Sequence, residues 1–142
     1  MNQITEDSKE VVKFLWKHYP YVRKWVDPLG YAAWHLSHGF MAIMRYEPGT
    51  PILGVVAARP VANPSDAEVP FQYSEEGPCI FVELAVHAHP MGMAAMAMML
   101  QQRFGMRSQI AWFRHDKGPI RIHDFERTTE RVKKMIGTKN HE

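Results

Sequence analysis

Residues 80–86, Ile-Phe-Val-Glu-Leu-Ala-Val, form a nearly unbroken apolar run rich in β-branched and aromatic side chains. A run of that kind predicts a strand covered on both faces. Beyond it, every residue from Met91 to Leu100 except Gly92 is apolar. Pro90 suits the first position of a helix, where its missing N–H has no intrahelical partner to lose. The pattern predicts a helix over 91–104 with no polar face in its first turns, hence enclosed on most sides. Gln101, Gln102 and Arg103 bring it out to solvent, and Gly105 is placed to end it as a left-handed cap.

The remaining elements follow from the same patterns. Thr5 or Asp7 caps a first helix through Tyr19, with Asp7-x-x-Glu10 as a capping box and Val11, Val12, Leu15 and Tyr19 as an apolar stripe. Pro20 interrupts it. Val22, Trp25, Val26 and Leu29 continue the helical spacing in a short segment that Asp27-Pro28 and Gly30 close, with one further turn over 31–34. Residues 40–46 and 51–58 read as strands around a turn at 47–50, and Gly54 marks a bulge or a close backbone approach. Residues 61–77, with four acids and two prolines, are a functional or a flexible connection. A strand over 108–113 pairs parallel to 80–86, because a strand-helix-strand unit closes as a right-handed crossover. A turn over 114–119 leads to a short strand over 120–123. Asp124 then caps a closing helix over 125–136, which Gly137 ends.

The 142 residues are enough for one domain with a real core, and 46% hydrophobic and 23% charged residues are ordinary for a globular chain. No run approaches the roughly 20 apolar residues of a membrane span, and no leader pattern opens the chain, so a cytoplasmic setting without membrane contact is expected. The single Cys79 reads as a packed thiol. Charge is uneven: Glu47, Asp66, Glu68, Glu75, Glu76 and Glu83 stand against Arg59 alone in 47–83, whereas bases dominate after 103. Arg103, Arg107, Arg114, Arg121, Arg127 and Arg131, with Trp112, make a cheap nucleic-acid signal without a binding motif; a solvated basic face accounts for them, and no nucleic-acid partner is expected.

Eight histidines raise the question of metal. His35-x-x-His38 and His87-x-His89 have permissive spacing, but no cysteine or carboxylate completes a ligand pattern, so no metal is expected. Met91, Met93, Met96, Met98 and Met99 are half of the ten methionines, and serve as core or as an oligomer contact before they serve as a ligand pocket.

The order of elements resembles the GNAT-type N-acetyltransferases, and Leu84-Ala-Val-His87 is similar to the end of that family's fourth strand. The resemblance covers roughly 8–113 and implies a single α/β (α+β) domain over 1–142, with N-terminal helices, a hairpin and a central strand-helix-strand unit in a mixed sheet. It also implies an acetyl-CoA or other acyl-CoA donor beside that strand, contacted by backbone N–H groups near Ala85, Val86 and Gly92. The family's Arg/Gln-x-x-Gly-x-Gly/Ala loop falls on Met91, Gly92, Met93, Ala94, Ala95 and Met96, with Met91, Ala94 and Met96 departing from it. Met96 is expected to crowd the phosphate approach. No tyrosine follows Tyr73 to serve as the family's usual acid.

Glu83 is the candidate general base, burial being expected to raise its carboxyl toward neutrality; His87 is the other candidate, or else a cap of the buried helix. Two function classes result. One is an acyltransferase acting on a small-molecule or protein amine acceptor. The other is an inactive GNAT-like module that binds a protein partner or a second copy of itself.

Overall fold

The computed structural model describes residues 4–89, 92–113 and 120–140. Thr5 opens the first helix, α1 (Glu6–His18), and the capping box is closed by Ser8, whose hydroxyl accepts from the Thr5 N–H; Asp7 and Glu10 do not form it. After a 3-10 turn (Pro20–Lys24), α2 (Pro28–Ser37) starts where the sequence pattern places an end. Asp27 accepts from Gly30 N–H at 3.0 Å and Pro28 takes the first turn, so the Asp-Pro pair starts a helix.

Among the described residues five strands follow: β1 (Met41–Met44), β2 (Gly54–Val61), β3 (Cys79–His87), β4 (Gln109–Phe113) and β5 (Ile120–Asp124). They lie in the order β1-β2-β3-β4-β5, all neighbours antiparallel except the β3–β4 pair, which is parallel as the crossover rule demands. The crossover is α3 (Gly92–Phe104), ended by Gly105 at φ +72°. Pro90, Met91 and the turn at 114–119 lie outside the described residues. Asp124 accepts from Arg127 N–H at 2.9 Å to cap α4 (Phe125–Asn140), which runs through Gly137.

The sheet is covered on both faces. Val55, Ala57, Leu84 and Val86 pack under α1 and α2, whereas Val56, Ala58, Ile80 and Ile110 pack with Met96, Leu100 and Phe104 of α3 and Phe125 of α4. Met96 is thus a core residue 2% exposed and does not crowd a phosphate approach. Enclosure of α3 fails on its outer side: one face meets the sheet, and Met93 and Met98 on the other are 55% and 47% exposed. Cys79 is fully buried, and burial pushes its thiol up to about 11. Gly54 is a close approach: a Cβ there would meet Met44 Cε at 3.0 Å, while the bulge lies further along. Among the described residues, no helix is long and apolar enough to cross a membrane.

Candidate functional site

β3 is bent by one extra residue. Ala57 pairs with Leu84 and Ala58 with Val82, which leaves Glu83 opposite nothing. A bulge of this kind redirects a side chain and interrupts the two-residue alternation. Leu84 consequently packs under α1 and α2, on the face where Phe81, three residues earlier, packs with Ala67 of the connection and lines a cavity with Tyr31. At the same place the described pairing with β4 ends, Val82 lying opposite Trp112. From Glu83 to His87, the edge of β3 away from β2 has no strand partner among the described residues.

Three side chains converge on one oxygen of Glu83. Arg59 Nη1, from β2, donates to Oε2 at 2.9 Å, and the Tyr31 hydroxyl, from α2, donates to it at 3.1 Å. His35 Nε2, one turn after Tyr31, lies 3.3 Å from the same oxygen but off the line of a hydrogen bond. His35 Nδ1 donates to the Tyr31 carbonyl at 2.8 Å. A carbonyl only accepts, so Nε2 meets Oε2 favourably only in the doubly protonated ring. None of these groups reaches Oε1.

The electrostatics overturn one expectation drawn from the sequence. Burial does push the Glu83 carboxyl upward, but the His35 and Tyr31 contacts and the Arg59 guanidinium together outweigh it and hold the group below its ordinary value. Glu83 is an ionised carboxylate at neutral pH. Tyr31 moves the other way: burial, then the Glu83 charge, push its hydroxyl well above the usual 10.

Arg59 is fully buried, and its remaining N–H groups grip the backbone of the acidic connection. Nε donates to the Gln72 carbonyl at 2.7 Å, and Nη2 donates to those of Val69 at 3.0 Å and Ala67 at 3.2 Å. The segment is therefore anchored, with a 3-10 turn over Pro64–Glu68. It presents Phe71, at a left-handed φ of +64°, against the rings of Tyr31 and Trp34. Between this segment and the start of α2 lies a cavity of about 860 Å³ with Trp25, Tyr31 and Phe71 in its walls and Glu83 in its lining.

The other candidates lie elsewhere. His87 packs on the α3 side: a Cβ on Gly92 would come within 2.6 Å of His87 Cγ, and His87 Nδ1 meets the His89 carbonyl at 3.1 Å. Glu83 and His87 are thus on opposite faces of the sheet. Ala85 is exposed beside the open edge, and Val86 is buried toward α1 and α2. Gly92 and Ala94 are buried at the start of α3, Met93 is exposed, and Met91 lies outside the described residues. Two arginines of the basic segment are engaged internally, Arg103 donating to the Gly39 carbonyl and Arg107 to that of Gly77. Among the described residues no group of three or more His, Cys, Asp or Glu side chains could hold a metal.

The sequence reading missed Tyr31, His35 and Arg59 as a set. Two signals pointed to them: Tyr31 and His35 are four apart, hence on one helix face, and Arg59 is the single base in 47–83, directly after an apolar run.

No known family profile and no curated protein matches the chain. Among solved structures, the loading GNATL domain of CurA from Lyngbya majuscula is similar, with a TM-score of 0.58 and 16% identity. The likeness covers 79% of this chain and 62% of that one, so the chain spans less than two thirds of that neighbour's length. The fold is GNAT-like. Identity this low leaves the site to be argued from its own residues.

Proposed function

We propose that the chain is an acyltransferase that moves an acyl group from a CoA-type thioester to an amine. One observation supports the reading: among the described residues the pairing of β3 with β4 ends at Val82 and β3 bulges at the next residue, so a strand edge without a described partner adjoins an ionised carboxylate. An open edge suits an extended, amide-bearing arm, which pairs with it as an added strand does. Backbone groups of Ala85 and Val86 would hold that arm. At the start of α3 the Gly92 N–H is already bonded to the His89 carbonyl at 2.9 Å, so a phosphate there would be met by the end of the helix as a whole and not by that N–H.

The thioester, when bound, supplies an acyl carbon open to attack. An acceptor that arrives as an ammonium first releases one proton to solvent; the free amine nitrogen then forms the new C–N bond as the C–S bond breaks, the sulfur leaves with the bonding pair, and the nitrogen gives up its second proton. Glu83, held ionised, orients the amine through Oε1 and takes the proton as bond formation makes the nitrogen acidic. Tyr31 and Arg59 keep Oε2 fixed meanwhile, and His35 backs the same oxygen.

The test is titration of the full chain with acetyl-CoA and a long-chain acyl-CoA, with thermal unfolding alongside, then thiol release in the presence of primary amines. A bound thioester stabilises the fold, and Glu83→Gln should lower the transfer rate by roughly 10²-fold or more. Absence of heat and of a thermal shift with both thioesters would overturn the reading. The inactive interaction module would then replace it, drawing on the exposed Met93 and Met98 of α3.

A further inference from the structure

The cavity beside Glu83 has walls of an unusual kind. Rings follow one another along it: Trp25 lies 4.7 Å from Tyr31, Tyr19 lies 6.2 Å from Trp25, and Phe71 lies 6.4 Å from Tyr31. Within the lining, the charged groups are Glu83, Glu68 and Lys24. Glu68 and Lys24 are exposed and oppose each other in sign, and the Arg59 guanidinium behind Glu83 is fully buried and turned to Oε2 and the loop carbonyls, so what Glu83 offers deeper in is the acceptor Oε1. Its Oε2 is occupied by the donors already described, and Oε1 has no donor among them. An ionised oxygen with spare acceptor capacity, set in aromatic walls, is complementary to one positive N–H-bearing group on an apolar body. Ring faces within about 6 Å of a cation attract it, and the apolar body replaces water on the remaining surface.

We propose that this cavity is the acceptor pocket and selects a monocationic primary amine carried on an aromatic body, the ammonium on Glu83 Oε1 and the body among Trp25, Tyr31 and Phe71. The proposal rests on the acyltransferase reading for the word acceptor, but the binding it asserts does not need a thioester. A carboxylate on the same ligand is disfavoured, because it would enter beside Glu83. A neutral ligand of equal shape leaves Oε1 without a partner and loses the cation–ring attraction.

The experiment is titration of the full chain with 2-phenylethylammonium, without any thioester, followed by calorimetry. Phenylalanine and 2-phenylethanol are the carboxylate-bearing and neutral controls. Saturable binding is expected, at least tenfold weaker for either control and at least tenfold weaker in Trp25→Ala. Trp25 is half-buried at the cavity wall, and circular dichroism of that variant verifies its fold. Equal affinity for the amine and the alcohol, no binding of the amine, or full affinity in Trp25→Ala would each overturn the proposal. Transfer to other amines with no binding of the probe would remove the pocket assignment and keep the acyltransferase. Binding of the probe with no transfer from acetyl-CoA or a long-chain acyl-CoA would do the reverse.

Discussion

Arg59 and Glu83 meet at 2.9 Å across adjacent strands, the arginine fully buried and the carboxylate side chain 33% exposed. The arginine comes from the regular part of β2 and the glutamate from the bulge of β3, so the pair forms only because the two registers are offset by one residue there. The same guanidinium holds three carbonyls of the loop above it. One side chain therefore shares with His35 and Tyr31 in holding Glu83 ionised and also fixes the position of the site's outer wall.

Arg59→Ala should destabilise the fold strongly, because it leaves a half-buried carboxylate and three carbonyls without their donor. Breaking a buried pair from one side costs roughly 3–5 kcal/mol, and exposure of Glu83 places the expected loss at the lower end, about 3 kcal/mol. Arg59→Lys should recover part of it, since an ammonium can reach the carboxylate but lacks the planar fork that serves several carbonyls. Chemical denaturation measures both; a loss under about 1 kcal/mol for the alanine variant would contradict the role assigned to Arg59.

Stability should fall at both ends of the pH range for identifiable reasons. Glu83 has a folded-state pKa below its unfolded one, so its contribution is present above the ordinary value of 4.5 and is lost as pH falls through the lower folded value. Tyr31 is raised above 10, so the unfolded chain deprotonates first and stability falls as pH rises past 10. Thermal unfolding as a function of pH should show a shallower acid limb in Glu83→Gln and a shallower alkaline limb in Tyr31→Phe. Unchanged limbs would exclude these two groups as the cause. In transfer assays, an inflection near pH 6–7 that vanishes in Glu83→Gln would mean that the carboxylate is raised after all.

Gly92→Ala should be costly although alanine is the better helix former. The new Cβ would lie 2.6 Å from His87 Cγ, and the His87 Cβ, which is fixed to the strand backbone, is closer still. Either α3 or the end of β3 has to shift, at about 1–3 kcal/mol. His87→Gly in the same chain should return much of the loss, and a double-mutant cycle that came out additive would show that the two residues do not touch.

Cys79 should be inert in the native state. Buried, with its thiol at about 11, it has neither access nor thiolate character. Labelling by an aromatic disulfide should proceed at the rate of unfolding; fast reaction without denaturant would place the residue at a surface.

The layers of the fold were legible because they rest on local chemistry. The apolar run at 80–86, the capping Asp124 and the Gly105 terminator each produced the element expected of them, and the parallel pairing of β3 with β4 followed from the strand-helix-strand order. Asp27-Pro28 was misread because the same dipeptide closes one helix or opens another, and only the Gly30 N–H on the Asp27 carboxylate decides. Glu83 was legible as an acid within a strand, but its pKa was not. Its direction depends on Tyr31, His35 and Arg59, which are brought to it from 52, 48 and 24 residues away in the chain. The bulge that turns Glu83 toward them is likewise a matter of pairing, invisible in either strand alone.

The grip of Arg59 falls on carbonyl oxygens of Ala67, Val69 and Gln72 and on none of the loop's side chains. Carbonyls are common to every residue type, so Glu68, Pro70 and Phe71 can be exchanged without releasing the segment from the sheet. The lining that an incoming ligand meets is in this way uncoupled from its own anchorage. Under the acceptor-pocket proposal, selectivity would be rewritten at the loop while the carboxylate beneath it keeps its Arg59 partner.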